Sequence, residues 1–340
     1  MKQRWRVVLG LTAAALVAIS LAGYVAWRDM EQSLTRPVPL AEPELFELRP
    51  GMSVGSVGRE FVAKGWLRHA IYLRIEASRH ELAARIQAGH YEIVPGDTPR
   101  GLLRKFAAGD VKTYTVTFVE GATFDEIRRQ VRTLPGIAHE LRDTTPEAVM
   151  AALGAPGQLP EGWLFPSTYQ YRHNTSDRAL LSRAYRKMQE VLARRWEQRA
   201  SDLPYASPYE ALVMASIVEK ETGKPEERPT VAGVFVRRLQ KNMRLQTDPT
   251  VIYGLGPAFD GNLRRADLER DTPYNTYTRA GLPPTPICSP GEAALAASLA
   301  PAAGDALYFV ARGDGSHVFS STLEAHNAAV REYQLRGVRR

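Results

Sequence analysis

The sequence predicts an α+β protein with three parts: one N-terminal transmembrane helix, a small α/β subdomain and a larger, helix-rich α+β domain. Residues 7–27 carry no charge, and about 20 apolar residues suffice to cross a bilayer as one helix. Residues 45–110 show the pattern of a strand, two helices and a strand, and the remainder alternates capped helices with short strands. The predicted parts are 1–28 (stub and anchor), 29–44 (tether), 45–110 (subdomain) and 111–340 (larger domain).

The flanks of the apolar run predict the orientation of the anchor. Basic residues precede the run, and Trp5 and Trp27 occupy the positions that aromatic side chains favour at membrane interfaces. The N-terminus is therefore expected in the cytoplasm and everything after Arg28 outside it. A cleaved signal peptide is the alternative, because residues 20–22 resemble a small-residue cleavage site. The run continues to Trp27, which favours an uncleaved anchor.

Composition narrows the classes of function. The chain is 44% hydrophobic and 24% charged, as in ordinary globular proteins, and its net charge of +7 favours an acidic partner. Nucleic acid, anionic lipid and an anionic wall polymer all satisfy that charge, but a location outside the cytoplasm argues against nucleic acid. Cys288 is the single cysteine, and the seven histidines lack ligand spacing. No internal disulfide and no metal site are expected.

The subdomain has a recognisable order of elements after its tether. Residues 29–44 are polar and proline-bearing, which predicts an extended tether. A strand at 45–48, a helix capped by Ser53, a helix over 69–77 and a strand at 90–94 follow, and then a helix from Thr98 that ends near Gly109. This order resembles the LysM fold, which implies binding of N-acetylglucosamine chains. A purely structural spacer is the alternative.

The larger domain is predicted from local patterns in the same way. Its first half is expected to contain a half-buried strand over 112–119, a helix from Thr123, helix and loop over 135–158, and a basic amphipathic helix over 176–200. Its second half is expected to contain a helix over 229–242, a helix from a capping box at Ser289 to Leu299, a hairpin of 306–312 with 317–320, and a last helix over 323–335.

One helix at 207–223 is the centre of this domain. Ser207 begins it with a capping box, Gly223 is expected to end it in the left-handed conformation, and its interior is apolar almost all round, as in buried helices. Glu219, Lys220 and Glu221 fill the last turn, where the helix dipole disfavours a carboxylate. A carboxyl group there can stay protonated near neutral pH, as a general acid requires. The alternative is a last turn in solvent with ordinary surface charges.

Three loops carry aromatic and polar side chains suited to a sugar. Residues 159–171 form an aromatic, proline-bearing loop that suits a flat ligand such as a sugar ring, although aromatic loops also plug cores. Residues 243–256, with a turn at Asp248, and residues 272–286 combine hydrogen-bonding groups with tyrosines. The side chains concerned are Gln246, Thr247, Asp248, Thr250, Tyr253, Tyr274, Asn275 and Tyr277.

Several long strings occur together in this chain: SIVEKET at 216–222, RLQTDPTVIYG at 244–254, YNTY at 274–277 and GLPPTPI at 281–287, with EGWLFP at 161–166 and AHN at 325–327. In order and spacing the chain resembles the MltG/YceG family of endolytic murein transglycosylases. The resemblance implies a bitopic inner-membrane protein with a LysM-like subdomain and a catalytic domain in the periplasm. It also implies cleavage of nascent glycan strands between N-acetylmuramic acid and N-acetylglucosamine, with 1,6-anhydro ends, beside peptidoglycan synthases and without a cofactor.

The resemblance also assigns residues. The family's catalytic glutamate, the first in VEKE, matches Glu219. Glu221 is expected to make an ion pair or to support the site, and Ser167 departs from the acidic residue expected after the FP pair, which puts a polar role there in doubt. The expected substrate contacts are Glu161, Trp163, Ser216, Gln246, Thr247, Asp248, Tyr253, Asn275 and Tyr277.

One carboxyl group is enough for lytic chemistry. Glu219 and Glu221 are about 200° apart around a helix, so they cannot form the facing pair of a hydrolase. Two rival functions stay open on the sequence. Lys220 could form a Schiff base with pyridoxal phosphate, although no glycine-rich phosphate site is evident. A non-catalytic, wall-binding scaffold would use the aromatic loops and the subdomain but not Glu219.

Overall fold

The computed structural model describes residues 2–142 and 144–335, and the chain divides into two compact units, Met1–Tyr114 and Thr115–Arg340. The first unit begins with helix α1, Lys2–Thr35. The described residues contain one helical segment long and apolar enough to cross a membrane, Val8–Thr35, with a mean hydropathy of 2.1. Large apolar side chains are exposed along it as far as Trp27, as a single-pass anchor requires.

The predicted extended tether over 29–44 is wrong for its first part, because α1 continues through Thr35. Met30 and Leu34, one helical turn apart, are buried in the core of the first unit. Ser33 accepts a hydrogen bond at Oγ from the backbone N–H of Arg68 (3.0 Å). The burial of one helical face stabilises the helix more than the polar composition of the segment disfavours it.

The rest of the first unit follows the order predicted from the sequence. It contains β1 (Glu44–Leu48), α2 (Val54–Ala63), α3 (Ala70–Arg79), β2 (Gly89–Ile93) and α4 (Pro99–Ala108). Strands β1 and β2 pair antiparallel, with Glu44 opposite Ile93. Phe46, Phe61 and Phe106 meet in the core, with the rings of Phe46 and Phe106 stacked at 5.5 Å. Strand, helix, helix and strand are therefore present, and the LysM likeness of the unit stays a prediction.

The second unit is a helical layer with short strands at its margins. Its elements are β3 (Thr113–Thr117, which contains the division between the units), α5 (Phe124–Arg132), β4 (Ile137–Ala138), α6 (Pro146–Ala152), β5 (Thr168–Arg172), β6 (Thr175–Ser176), α7 (Asp177–Glu197), α8 (Pro208–Glu221), α9 (Arg228–Gln240), α10 (Asp248–Leu255), α11 (Arg265–Glu269), α12 (Glu292–Leu299), β7 (Tyr308–Ala311), β8 (His317–Ser320) and α13 (Leu323–Val330). Strand β3 pairs with β5, β4 with β6 in parallel, and β7 with β8 antiparallel.

Helix α8 is the centre of this unit, as its apolar sequence predicts. Every residue from Ala211 to Val218 is buried, and helices α7, α9, α10 and α12 pack against it. The helix begins as expected, with Ser207 accepting from the backbone N–H of Glu210. The Glu210 carboxylate accepts instead from the N–H of Ala206 (2.6 Å), so the capping box is incomplete.

Three elements begin or end at residues other than those predicted from the sequence. Thr222, with extended backbone (φ −139°), takes the C-cap of α8 in place of a left-handed Gly223, and its hydroxyl accepts from Lys224 N–H at 3.1 Å. Helix α12 begins at Glu292 with Gly291 as its N-cap, so Ser289, fully buried, is not its cap. The loop predicted over 159–171 ends early, because strand β5 begins at residue 168 to pair with β3.

The loop predicted over 243–256 is wrong in its second half. Asp248 begins helix α10 in place of a turn, with Pro249 in the first helical turn, where its missing N–H costs nothing. Thr250, buried within this helix, donates its hydroxyl to the carbonyl of Thr247 (2.8 Å). The Asp-Pro pair therefore marks a helix start.

Candidate active site

Glu219 lies in the last turn of α8 as a nearly buried carboxyl group, with its side chain 5% exposed. Its Oε1 accepts from Nη2 of Arg228 (3.2 Å) and its Oε2 from the backbone N–H of Gly291 (2.9 Å), which is the N-cap of α12. Burial raises the pKa of Glu219, while the hydrogen bond from Gly291 and the charge of Arg228 oppose the rise. The group is thus fixed in position and binds its proton more tightly than a free glutamate.

A second acidic group shares the arginine. Arg228 Nη2 also lies 3.8 Å from Oε2 of Glu120, a side chain 49% exposed. Arg228 itself is 11% exposed, and its Nε is buried without a hydrogen-bond partner among the described residues. The Glu120 charge contributes to the raised pKa of Glu219. Arg228 and Glu120 therefore act on the Glu219 proton in opposite directions.

Lys220 separates the two glutamates of the last turn and is exposed, with Nζ 3.4 Å from the carbonyl oxygen of Gly121. The alternative drawn from the sequence was that all three charged residues of this turn face solvent. Among them, Lys220 is the exposed one. The pyridoxal phosphate alternative required a desolvated lysine at this helix end, and the exposure of Lys220 contradicts it. Among the described residues, no three His, Cys, Asp or Glu side chains are grouped as a metal site requires.

Glu221 lies on the other side of the helix end and lines a cavity of about 540 Å³. Its carboxyl group accepts from the hydroxyl of Thr247. Burial raises the pKa of Glu221 to about 7, and the charge of Asp248 adds to the rise. Glu221 accepts a hydrogen bond from a neutral hydroxyl and makes no ion pair within the described residues. Of the two roles predicted from the sequence, the ion pair is therefore wrong, and support of the site stays a prediction.

Three predicted substrate contacts meet at this cavity: Gln246, Asp248 and Tyr277. The Tyr277 hydroxyl donates to Oδ1 of Asp248 (2.6 Å), and Gln246 Oε1 accepts from Nη1 of Arg238 (3.3 Å). The opposite wall comes from β7, β8 and α13, which sequence reasoning did not connect with a site. The AHN motif at 325–327 was the one sequence feature that pointed to this wall, since His326 and Asn327 line the cavity.

Glu161 and Tyr253 form a separate buried pair. Glu161 Oε2 accepts from the Tyr253 hydroxyl (3.0 Å), and its Oε1 accepts from the backbone N–H groups of Phe124 (2.9 Å) and Gly162 (3.2 Å). Burial raises the pKa of Glu161 to about 7 against the opposing effect of these hydrogen bonds. The pair ties the loop before β5 to α5 and α10, and neither residue lines the cavity at Glu221.

Two other predicted contacts, Trp163 and Ser216, pack against neighbouring side chains and backbone of the second unit. Trp163 stacks on Tyr209 with ring centroids 6.0 Å apart and planes 9° apart. Ser216, wholly buried, donates to the carbonyl of Val213 (2.7 Å) and accepts from Ile287 N–H (2.9 Å).

Thr247 and Asn275 are also buried within the loops. Asn275, wholly buried, donates its amide N–H groups to the carbonyls of Leu268 (2.9 Å) and Arg270 (2.6 Å). Thr247 is 1% exposed. Ser216, Asn275 and Thr247 are thus buried and hydrogen-bonded within the protein, and their contact with a substrate stays a prediction.

Comparison with known proteins identifies relatives along most of the chain. The model of the YceG-like family matches residues 46–332. A protein of Bacillus subtilis named endolytic murein transglycosylase is 32% identical over 272 residues, which cover 75% of each chain. A Streptococcus pneumoniae protein of the same name is 28% identical, and the match covers 94% of this chain and 63% of the relative. The crystal structure of a YceG-like protein from Listeria monocytogenes matches with a TM-score of 0.53 and 28% identity, covering 85% of this chain and 99% of that one.

Proposed function

The chain belongs to the YceG-like family, and we propose that it is an endolytic murein transglycosylase, a lyase with Glu219 as its catalytic residue. The observation that carries this assignment is the geometry of Glu219, a carboxyl group fixed by two donors at the end of a buried helix. The relatives in B. subtilis and S. pneumoniae carry the name of an enzyme. A non-catalytic scaffold is therefore not favoured.

The proposed reaction cuts the bond between C1 of N-acetylmuramic acid and the oxygen of the following N-acetylglucosamine. Protonated Glu219 donates its proton to that glycosidic oxygen as the C1–O bond breaks. The C6 hydroxyl of the muramic acid attacks C1 and passes its proton to the Glu219 carboxylate. The product carries a 1,6-anhydro ring, no water is consumed, and Glu219 returns to its protonated form.

The surroundings of Glu219 suit both halves of this cycle. Burial at the C-terminal end of α8 favours the protonated form that begins the reaction. The N–H of Gly291, at the N-terminal end of α12, and the guanidinium of Arg228 stabilise the carboxylate that exists between the two proton transfers. A carboxyl group whose pKa burial raises toward the working pH can give and then take the same proton.

The proposed location rests on sequence features outside the second unit. The basic residues before the apolar helix favour a cytoplasmic N-terminus. The proposal therefore places the second unit, and the part of the first unit that follows the membrane-spanning segment, in the periplasm, anchored to the inner membrane. There the first unit, as a LysM-like module, would bind glycan, and the enzyme would terminate the elongation of nascent strands beside peptidoglycan synthases.

The decisive experiment treats uncrosslinked glycan strands with the full-length protein in detergent and identifies the products by mass spectrometry. Wild-type protein should give internal fragments with anhydro ends, and Glu219→Gln should give none. Glu269→Gln is the control, because it removes an exposed carboxylate on α11 that lies outside the cavity at Glu221, and it should still cleave. Cleavage by Glu219→Gln would exclude its catalytic role. Products heavier by one water would indicate a hydrolase, and binding without cleavage by the wild type would indicate a scaffold.

A further inference from the structure

The cavity beside Glu221 has the size and the lining of a ligand site. Its volume of about 540 Å³ lies within the range of roughly 300–1,000 Å³ that small-molecule pockets span. The loop before α10 forms one wall, and β7, β8 and α13 form the other. All of these elements belong to the second unit. The cavity thus lies between the end of α8, which carries Glu219, and the hairpin of β7 and β8.

Two features of its lining lower the stability of the protein when no ligand is bound. Gln246 has a left-handed backbone (φ +52°), a conformation that costs about 1 kcal/mol for a residue other than glycine. Its backbone N–H donates to the carbonyl of Thr276 (3.1 Å), which holds the strained turn in place. His326 Nδ1 is buried and has no hydrogen-bond partner in the described part of the chain. Backbone strain and unsatisfied buried polar atoms are more frequent at functional sites than elsewhere.

An aromatic wall completes the lining. The Tyr308 ring stacks on the His326 ring, with centroids 5.3 Å apart and planes 25° apart, and the Arg238 guanidinium lies 5.1 Å from the Tyr308 centroid. Aromatic rings with polar groups beside them suit a sugar, which has an apolar face and hydroxyls at its edge. Asn327, exposed on α13, adds an amide to the polar set.

The charges of the cavity favour a neutral ligand. Asp248 is exposed at its rim, and Glu221 adds a second carboxyl group. Arg238 directs its donors to backbone carbonyls, with Nε 2.6 Å from Leu307 O and Nη1 2.8 Å from Leu245 O. An acidic group on a ligand would face the carboxylate of Asp248, while Nε and Nη1 of Arg238 already donate within the protein. The lactyl acid of a muramic acid is therefore disfavoured.

The cavity is also close to the catalytic group. Glu219 and Glu221 are two residues apart on α8, so their Cα atoms are separated by about 5 Å. Their side chains flank the C-terminal end of the helix on opposite sides. A glycan strand that crosses this end would contact both.

We propose that this cavity binds an N-acetylglucosamine unit of the glycan, held by Gln246, Asp248, Tyr308, His326 and Asn327. The assignment of a glycan rests on the proposed function, whereas the position of the pocket does not. The unit bound here lies beside the bond that Glu219 cleaves. Its recognition would fix the register in which the alternating strand enters the site, so that a muramic acid C1 meets Glu219.

The test uses the full-length Glu219→Gln protein and chitotetraose, a β-1,4-linked N-acetylglucosamine tetramer that lacks muramic acid. Isothermal titration calorimetry should detect binding, and Gln246→Gly should weaken it at least about tenfold, since a polar contact contributes about 1.4 kcal/mol or more when lost from a pocket. Glycine relieves the backbone strain at this position, so the Tm should stay the same or rise. Asn242→Gly is the matched control: Asn242 is exposed, has a φ of +54° and lies outside the cavity, so its Tm should respond similarly while binding stays within twofold.

A second measurement reports the place of binding. The ring signals of His326, identified by their loss in His326→Gln, should shift in NMR spectra when chitotetraose is added. Binding that Gln246→Gly leaves unchanged, or that leaves the His326 signals in place, would locate the sugar elsewhere, for example in the first unit, and would overturn the proposal. Tighter binding of N-acetylmuramic acid than of N-acetylglucosamine would overturn the choice of sugar. Because the titration uses an inactive variant, a wild type that fails to cleave murein would contradict the proposed function and leave this result standing.

Discussion

Arg228 Nη2 lies 3.2 Å from Oε1 of Glu219, and the same nitrogen lies 3.8 Å from the half-exposed carboxylate of Glu120. Burial raises the pKa of the proposed catalytic group, and these two neighbours adjust it in opposite directions. The cation of Arg228 lowers the pKa of Glu219, and the anion of Glu120 raises it, within the larger rise that burial causes. Substitutions at the two flanking residues should therefore move the activity in opposite directions along the pH axis.

Glu120→Gln should shift the alkaline limb of kcat/KM to lower pH. The limb reports loss of the general-acid proton, and removal of a neighbouring negative charge makes Glu219 a stronger acid. Arg228→Gln should shift the limb to higher pH and reduce kcat, because the intermediate carboxylate loses its cation. The measurement is the cleavage rate of uncrosslinked glycan between pH 5 and 9. Glu269→Gln, which removes an exposed carboxylate on α11 that pairs with Arg265, should leave the profile in place. Shifts of the same sign in Glu120→Gln and Arg228→Gln would contradict this account.

The stability of the protein should fall between pH 4.5 and 7 because of Glu161. Its pKa rises from 4.5 to about 7 on burial, so in this window the folded protein holds a proton that the unfolded chain has released. The unfolded state then binds fewer protons, and the free energy of unfolding decreases as pH rises. The loss is on the order of 3 kcal/mol, complete above the folded pKa and absent below 4.5.

Thermal unfolding at several pH values tests this window. Glu161→Gln should show a smaller decrease in Tm from pH 4.5 to 7 than the wild type. Glu221, with a pKa of about 7, contributes in the same direction, so Glu221→Gln should also flatten the curve. Glu269→Gln serves again as the exposed control. An unchanged pH dependence in Glu161→Gln would show that the carboxyl group is ionised in the folded protein.

Gly162→Ala should destabilise the second unit by more than backbone strain alone. Gly162 has a φ of +82°, and an added Cβ would lie 2.6 Å from the ring of Pro286. The left-handed conformation costs about 1–2 kcal/mol with a side chain, and the rigid proline adds a clash of about 1–3 kcal/mol. Gly154→Ala is the control, since Gly154 has a φ of +89° with open space around it. Equal decreases in Tm would show that the two loops separate without cost.

Ser216→Ala should lower the free energy of unfolding by about 1–3 kcal/mol. The substitution leaves the N–H of Ile287, which donates to Ser216 Oγ at 2.9 Å, without its acceptor in a buried place. Ser298→Ala provides the comparison, because Ser298 is equally buried but its hydroxyl has no partner within the described residues. Its removal should be neutral or stabilising. Thermal unfolding of both variants is the measurement. A decrease in Tm for Ser216→Ala that Ser298→Ala does not show would indicate that Ser216 supports the loop that contains Ile287.

Local chemistry explains which predictions from the sequence agree with the structure. The apolar interior of α8, the Ser207 cap and the capping residue Thr123 of α5 act within one or two turns, and the structure confirms each of them. The tether and the Asp248 turn are wrong because composition alone cannot reveal a partner surface. The segment that contains Met30 and Leu34 is helical because these side chains pack into a core formed by residues distant in the sequence.

The sequence by itself determined that a buried helix carries Glu219 in its last turn, because caps and apolar periodicity are properties of neighbouring residues. Only the tertiary structure decided how each carboxyl group is surrounded. Gly291 reaches Glu219 across 72 positions, and Tyr253 reaches Glu161 across 92. The pKa of a buried acid depends on those distant partners and on the water that they exclude. The cavity at Glu221 likewise exists only where α13, the β7–β8 hairpin and the loop before α10 come together.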